Sequence, residues 1–98
     1  MAKPETLAKV KTDLRISHTA LDEDLSDQID ACLADLKICG VNAPSESDVT
    51  ILAAVKLFCR ASYTDDTTKA AAYMDRYNSM KACLMMAAGY GGGAANAN

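Results

Sequence analysis

Apolar residues recur at helical spacing in two long segments of the chain. When residues advance by about 100° each, the members of each set fall on one side of a helix. The first set consists of Leu21, Leu25, Ile29, Cys32, Leu36 and Cys39. The second set consists of Ala70, Tyr73, Tyr77, Met80 and Leu84. Both patterns are typical of helices that bury one face and expose the other.

The segment between them, residues 49–59, is apolar on nearly every side, because only Thr50 and Lys56 interrupt it. One face of this helix would carry Ile51, Val55, Phe58 and Ser62. On or toward the opposite side lie Val49, Ala53 and Leu57. Two interpretations stay open and can hold together: the other helices of the domain cover both faces, or the second face packs against another copy of the chain.

Turn-forming residues divide the chain into about four helices. Pro4 opens the first, Thr19 or Asp22 caps the second, and Gly40 follows it. The third starts after Ser45, paired with Asp48, or after Ser47 as the immediate cap. The expected spans are 4–14, 22–39, 48–62 and 67–88. No strand-like alternation is long enough to compete, so the predicted fold class is all-α, a small helical bundle.

The last ten residues, 89–98, have no apolar period and consist mostly of Gly, Ala and Asn. We expect a helical domain over residues 1–88 and a disordered tail over 89–98. The tail is either an arm that orders on a partner or a frayed end.

Length and composition favour assembly. A domain of 98 residues buries only roughly 60 to 65% of its extended-chain surface. Half of the residues are hydrophobic, but the chain has no Trp and few other aromatic residues. Association with further copies would therefore supplement a modest stability.

Charge excludes some function classes. The formal net charge is −3, and the ten Lys and Arg residues are scattered along the sequence without a basic cluster. This pattern does not suit a protein that grips nucleic acid by its phosphates. No apolar span of about 18 residues predicts a membrane helix, and no signal peptide is expected. The protein is expected to be cytoplasmic when made.

The residues that usually carry chemistry do not form a site. The four cysteines lack metal-ligand spacing and are expected to pack as small hydrophobes. His18 lies in a turn, and Glu23, Asp27 and Asp30 are typical of a solvated helix face. We therefore predict no catalytic residue, no metal and no cofactor.

The order of these features resembles the head-tail connector, or adaptor, proteins of tailed bacteriophages. The resemblance spans about residues 5–88. It rests on Leu14-Arg15-Ile16, the acidic helix entry at residues 21–25 with Ile29 downstream, residues 51–58, and residues 73–84 with Tyr77, Met80, Lys81 and Leu84.

The resemblance implies a structural, non-enzymatic subunit that assembles into a ring, commonly twelvefold, below the portal of the virion. Such a ring extends the channel for double-stranded DNA, which passes without sequence-specific binding, and it docks a stopper or tail-completion protein. The expected site residues are Val49, Ala53 and Leu57 for subunit contact, and Tyr90, Ala94 and Asn96 for a tail that docks on the portal. The subunit would reside in the host cytoplasm during assembly.

A different function class stays open. The chain could instead be a small helical adaptor or regulator that binds a partner protein through the exposed part of the same face.

Overall fold

A computed structural model of the chain describes residues 3–41, 44 and 48–87. These residues form four helices and no strand, which confirms the all-α prediction. The helices are α1 (Pro4–Leu14), α2 (Asp22–Ile38), α3 (Val49–Tyr63) and α4 (Thr67–Met86).

The helix ends correct part of the sequence-based expectation. No side chain caps α2, whose N-cap is Leu21, so the prediction of Thr19 or Asp22 as its cap is wrong. Three acidic residues in the first turn of α2 compensate, because carboxylates are favoured near exposed helix N–H groups. The cap of α3 is Asp48, not Ser47: its Oδ1 accepts hydrogen bonds from the backbone N–H groups of Thr50 at 2.8 Å and Ile51 at 3.3 Å.

Helix α3 lies at the centre and packs against each of the other three helices. The core contains four of the six stripe residues predicted for α2 and two of the five predicted for α4. Its buried hydrophobic members are Val10, Leu25, Ile29, Cys32, Leu36, Val41, Ile51, Leu52, Ala54, Val55, Cys59, Tyr77 and Leu84. The rest of the domain therefore covers most of the apolar surface of α3.

Contacts between side chains show the relative directions of the helices. Tyr63 at the end of α3 donates a hydrogen bond to Asp24 near the start of α2, and Ser62 lies 3.3 Å from Gln28. Helices α2 and α3 are therefore antiparallel. Helix α4 also runs antiparallel to α3, because Tyr73 and then Tyr77 meet Arg60 and then Phe58.

Candidate interaction surfaces

The predicted contact face of α3 is narrower in the structure than its sequence suggests. Val49 is 80% exposed, whereas Ala53 and Leu57 are half-buried. Leu57 packs against the hydrophobic core of its own chain. Much of this face is removed from solvent within the domain, so a role in subunit contact stays a prediction that centres on Val49.

A second apolar surface escaped the sequence analysis. Between the start of α3 and the end of α4 lies a groove of about 400 Å³, lined by Thr50, Ser79, Met80, Cys83, Leu84 and Ala87. Met86, which is 79% exposed, follows Cys83 by three residues and so lies on the same side of α4. The sequence does carry a signal for this surface. The run Cys83-Leu84-Met85-Met86-Ala87 is apolar on every side of the helix, although packing against the core needs only one apolar face.

Folding gathers positive charges that are scattered in the sequence. One concavity of about 310 Å³ is lined by Asp13, Leu14, Arg15, Arg60, Tyr63, Thr64, Lys69 and Tyr73. A neighbouring concavity of about 370 Å³ is lined by Ala8, Lys9, Thr12, Asp13 and Lys56. We call this side the cationic flank and define it by Lys9, Arg15, Lys56, Arg60 and Lys69. These cations are scattered in the sequence and come together only in the folded chain.

An ion pair orders the centre of the cationic flank. The Nε group of Arg60 donates a hydrogen bond to Oδ2 of Asp13 at 2.7 Å, and a second guanidinium nitrogen contacts Oδ1. The same guanidinium lies 5.8 Å from the centroid of the Tyr73 ring, within cation–π range. Hydrogen bonding to Arg60 lowers the pKa of Asp13, because it stabilises the charged carboxylate. This arrangement ties α1, α3 and α4 together.

A polar network connects α2 to α4. The hydroxyl of the fully buried Tyr77 donates a hydrogen bond to Asp35 Oδ2 at 2.7 Å, and Lys81 Nζ lies 3.0 Å from the same oxygen. The Tyr77 hydroxyl and Lys81 lower the pKa of Asp35. Burial, and then the hydrogen bond to Asp35, raise the pKa of Tyr77. The network fixes the position of α4 relative to α2, because α4 otherwise packs mainly against α3.

The acidic residues singled out on α2 lie as the sequence suggested. Glu23 and Asp27 are exposed and Asp30 is half-buried, on the side away from the buried stripe. His18 is exposed in a bend. Within the described parts of the chain, no group of His, Cys, Asp or Glu has the arrangement of a metal site.

The cysteines are free thiols. Cys32 and Cys59 are buried in the core as expected, Cys39 is half-buried, and Cys83 is exposed. Core packing is therefore confirmed for two of the four residues and wrong for Cys83, which faces the apolar groove.

The predicted tail contacts Tyr90, Ala94 and Asn96 lie outside the described residues, as does the whole segment 89–98. Over the described ranges, none of the helices is both long and apolar enough for a membrane span.

Comparison with known proteins identifies the family. The model of the family described as "phage connector protein" matches residues 6–91, which includes all of α2, α3 and α4 and most of α1. Neither the curated proteins nor the solved structures contain a match. The resemblance inferred from the helical pattern is thus confirmed at the level of the family. The chain belongs to the phage connector protein family, whose members are structural components of the virion.

Proposed function

We propose that the chain is the subunit of a head-tail connector ring below the portal of a tailed phage, with twelve copies as the family resemblance implies. The observation that carries this proposal is the family match over residues 6–91. In this role the ring extends the channel for double-stranded DNA and docks a stopper or tail-completion protein.

The exposed apolar residues support a subunit that is completed by neighbours. Val49 and Ile38 are 80% and 83% exposed, at the start of α3 and the end of α2. Burial of a side chain of this size contributes about 1.5 to 3 kcal/mol. Contacts between copies would therefore stabilise both residues.

The subunit works without catalysis in this proposal, and its partners are its own copies, the portal protein and the protein docked below the ring. DNA passes through the lumen without base-specific contacts. The tail residues Tyr90, Ala94 and Asn96 dock on the portal. Assembly takes place in the host cytoplasm before the subunit becomes part of the virion.

Electron microscopy tests the proposal directly. The chain is mixed with the portal protein encoded by the same virus and imaged in negative stain. We expect an added ring coaxial with the portal. The proposal fails if the wild-type chain does not bind the portal and forms only a stable dimer or a one-to-one complex with a host protein.

That last outcome would favour the second candidate function, a small adaptor that binds a partner protein. The specific observation in its favour is the apolar groove between α3 and α4, which has the chemistry of a helix-binding surface.

The contact role of α3 has its own test. Val49→Glu places a charge on an exposed residue, so we expect the monomer to stay helical while ring formation on the portal is lost. Leu57→Glu is less informative, because Leu57 packs on the core and its loss would also weaken the fold. Asn78→Glu, on an exposed position of α4, is the matched control. Normal rings from Val49→Glu would show that this face is not a contact.

Deleting residues 90–98 tests the tail, and unchanged portal binding would eliminate its docking role.

A further inference from the structure

The side of α2 that points away from the core has two unlike halves. Its first half carries the acidic residues Glu23, Asp27 and Asp30, and its second half carries Ala31, Ala34 and Ile38. We call this surface the back of α2. Ile38 is 83% exposed, Glu23, Asp27, Ala31 and Ala34 are also exposed, and Asp30 is half-buried.

The α3 residues of the cationic flank lie on the side of α3 that faces away from α2. Ser62 of α3 meets Gln28 of α2, and Ala53 precedes Ser62 by nine residues, which is about 180° around a helix. Ala53 therefore points away from α2. Lys56 and Arg60 lie beside it on the outer side of α3, toward α1.

The two surfaces match in order along the bundle. Because α2 and α3 are antiparallel, the acidic half of α2 lies at the same end of the domain as Arg15, Arg60 and Lys69. The apolar half of α2, ending at Ile38, lies at the same end as Val49. A second copy displaced sideways without inversion would place acids opposite cations and apolar residues opposite apolar residues.

We propose that the back of α2 in one copy docks on the cationic flank and on Val49 of the next copy. This inference rests on the proposed function and adds its contact surfaces. Two different patches meet in such a contact, as a closed ring requires. Charge complementarity sets the partner and the register, while Ile38 and Val49 bury apolar surface at the other end.

Charge reversal tests the pairing on portal-bound chain. One variant carries Arg15→Glu and Lys69→Glu, a second carries Glu23→Lys and Asp27→Lys, and a third carries all four changes. All four positions are exposed, and Arg60 is left intact because it holds Asp13. We expect each double variant to reduce assembly at least about tenfold and the fourfold variant to restore most of it. The single reversal Arg76→Glu, exposed on α4, is the control.

Chemical crosslinking gives an independent measurement. In a background with Cys39→Ser and Cys83→Ser, chains carrying only Ile38→Cys are mixed with chains carrying only Val49→Cys and treated with a short bismaleimide. We expect crosslinked heterodimers, both in concentrated chain alone and on the portal. Chains carrying Thr68→Cys replace the Val49→Cys chains in the control.

The outcomes separate the inference from the proposed function. Rings that form normally from both double variants, or crosslinks mainly between identical positions, would overturn the pairing and leave the connector role standing. The Arg15/Lys69 variant could lose retention of duplex DNA without being rescued by the Glu23/Asp27 changes. That result would assign the cationic flank to DNA and would also overturn the pairing. If the wild-type chain does not bind the portal, the connector role fails, and crosslinking of concentrated chain alone decides the pairing.

Discussion

Asp13 and Arg60 lie 47 positions apart in the sequence and form a two-pronged ion pair between the last turns of α1 and α3. The Asp13 side chain is only 13% exposed, while Arg60 is 37% exposed. The carboxylate is therefore largely removed from water, and the guanidinium still reaches solvent.

Loss of one partner is expected to weaken the fold. Arg60→Ala leaves the Asp13 carboxylate with little solvent and also removes the stacking on Tyr73. After allowance for solvent screening on the Arg60 side, the expected decrease in the free energy of unfolding is about 1 to 3 kcal/mol. Urea unfolding followed by circular dichroism measures it. Arg76→Ala, on an exposed position, is the control, and an equal effect of both changes would contradict the prediction.

Stability is expected to fall in acid. The pKa values of Asp13 and Asp35 are lowered in the folded state, chiefly by hydrogen bonds from Arg60 and Tyr77 respectively. A lowered folded-state pKa means that the unfolded chain binds protons first, near pH 4, so both contributions are present above that pH and are lost below it. Urea midpoints between pH 7 and pH 3 measure this loss. The double variant Asp13→Asn, Asp35→Asn should show a flatter profile, and a profile as steep as that of the wild type would refute the assignment.

The Tyr77 hydroxyl is expected to matter more than its size suggests. Tyr77→Phe keeps the buried ring and its edge-to-face contact with Phe58, but removes the hydrogen bond to Asp35. The expected cost is about 1 to 2 kcal/mol in the free energy of unfolding, because a bond to a charged group is lost. Thermal unfolding of Tyr77→Phe beside Tyr73→Phe, on a half-buried ring, measures the difference. A larger effect at Tyr73 would argue against this network.

The four thiols are expected to react in a fixed order. Burial raises the pKa of Cys32 and of Cys59 to about 12, so neither forms much thiolate at pH 8. Cys83 is exposed and should be alkylated by iodoacetamide first. Peptide mass spectrometry of samples taken over time measures the order. Addition of urea should abolish it, and early modification of Cys32 in the folded chain would contradict the burial described here.

The four helices were predictable because their apolar periods are strong and because turn-forming or polar residues mark the breaks, with Ser17 to Thr19 in the first, Gly40 and Pro44 in the second, and Asp65 and Asp66 in the third. The caps were less predictable, because several neighbouring side chains can serve. Asp48 caps α3 because its carboxylate accepts hydrogen bonds from two backbone N–H groups. At α2 the cap position is occupied by Leu21, whose side chain cannot accept a hydrogen bond.

The interaction surfaces were predictable only in part. The sequence indicated excess apolar surface on α3 but did not show that Ala53 and Leu57 are half-buried within their own domain. It also could not show the cationic flank, because Lys9, Arg15, Lys56, Arg60 and Lys69 come from different elements and meet only through helix packing.

The central position of α3 has a mechanical consequence. Since the other three helices all pack against α3, a force on any one of them is transmitted to α3 and from there to the remaining two. We therefore expect the four described helices to respond to load as one block.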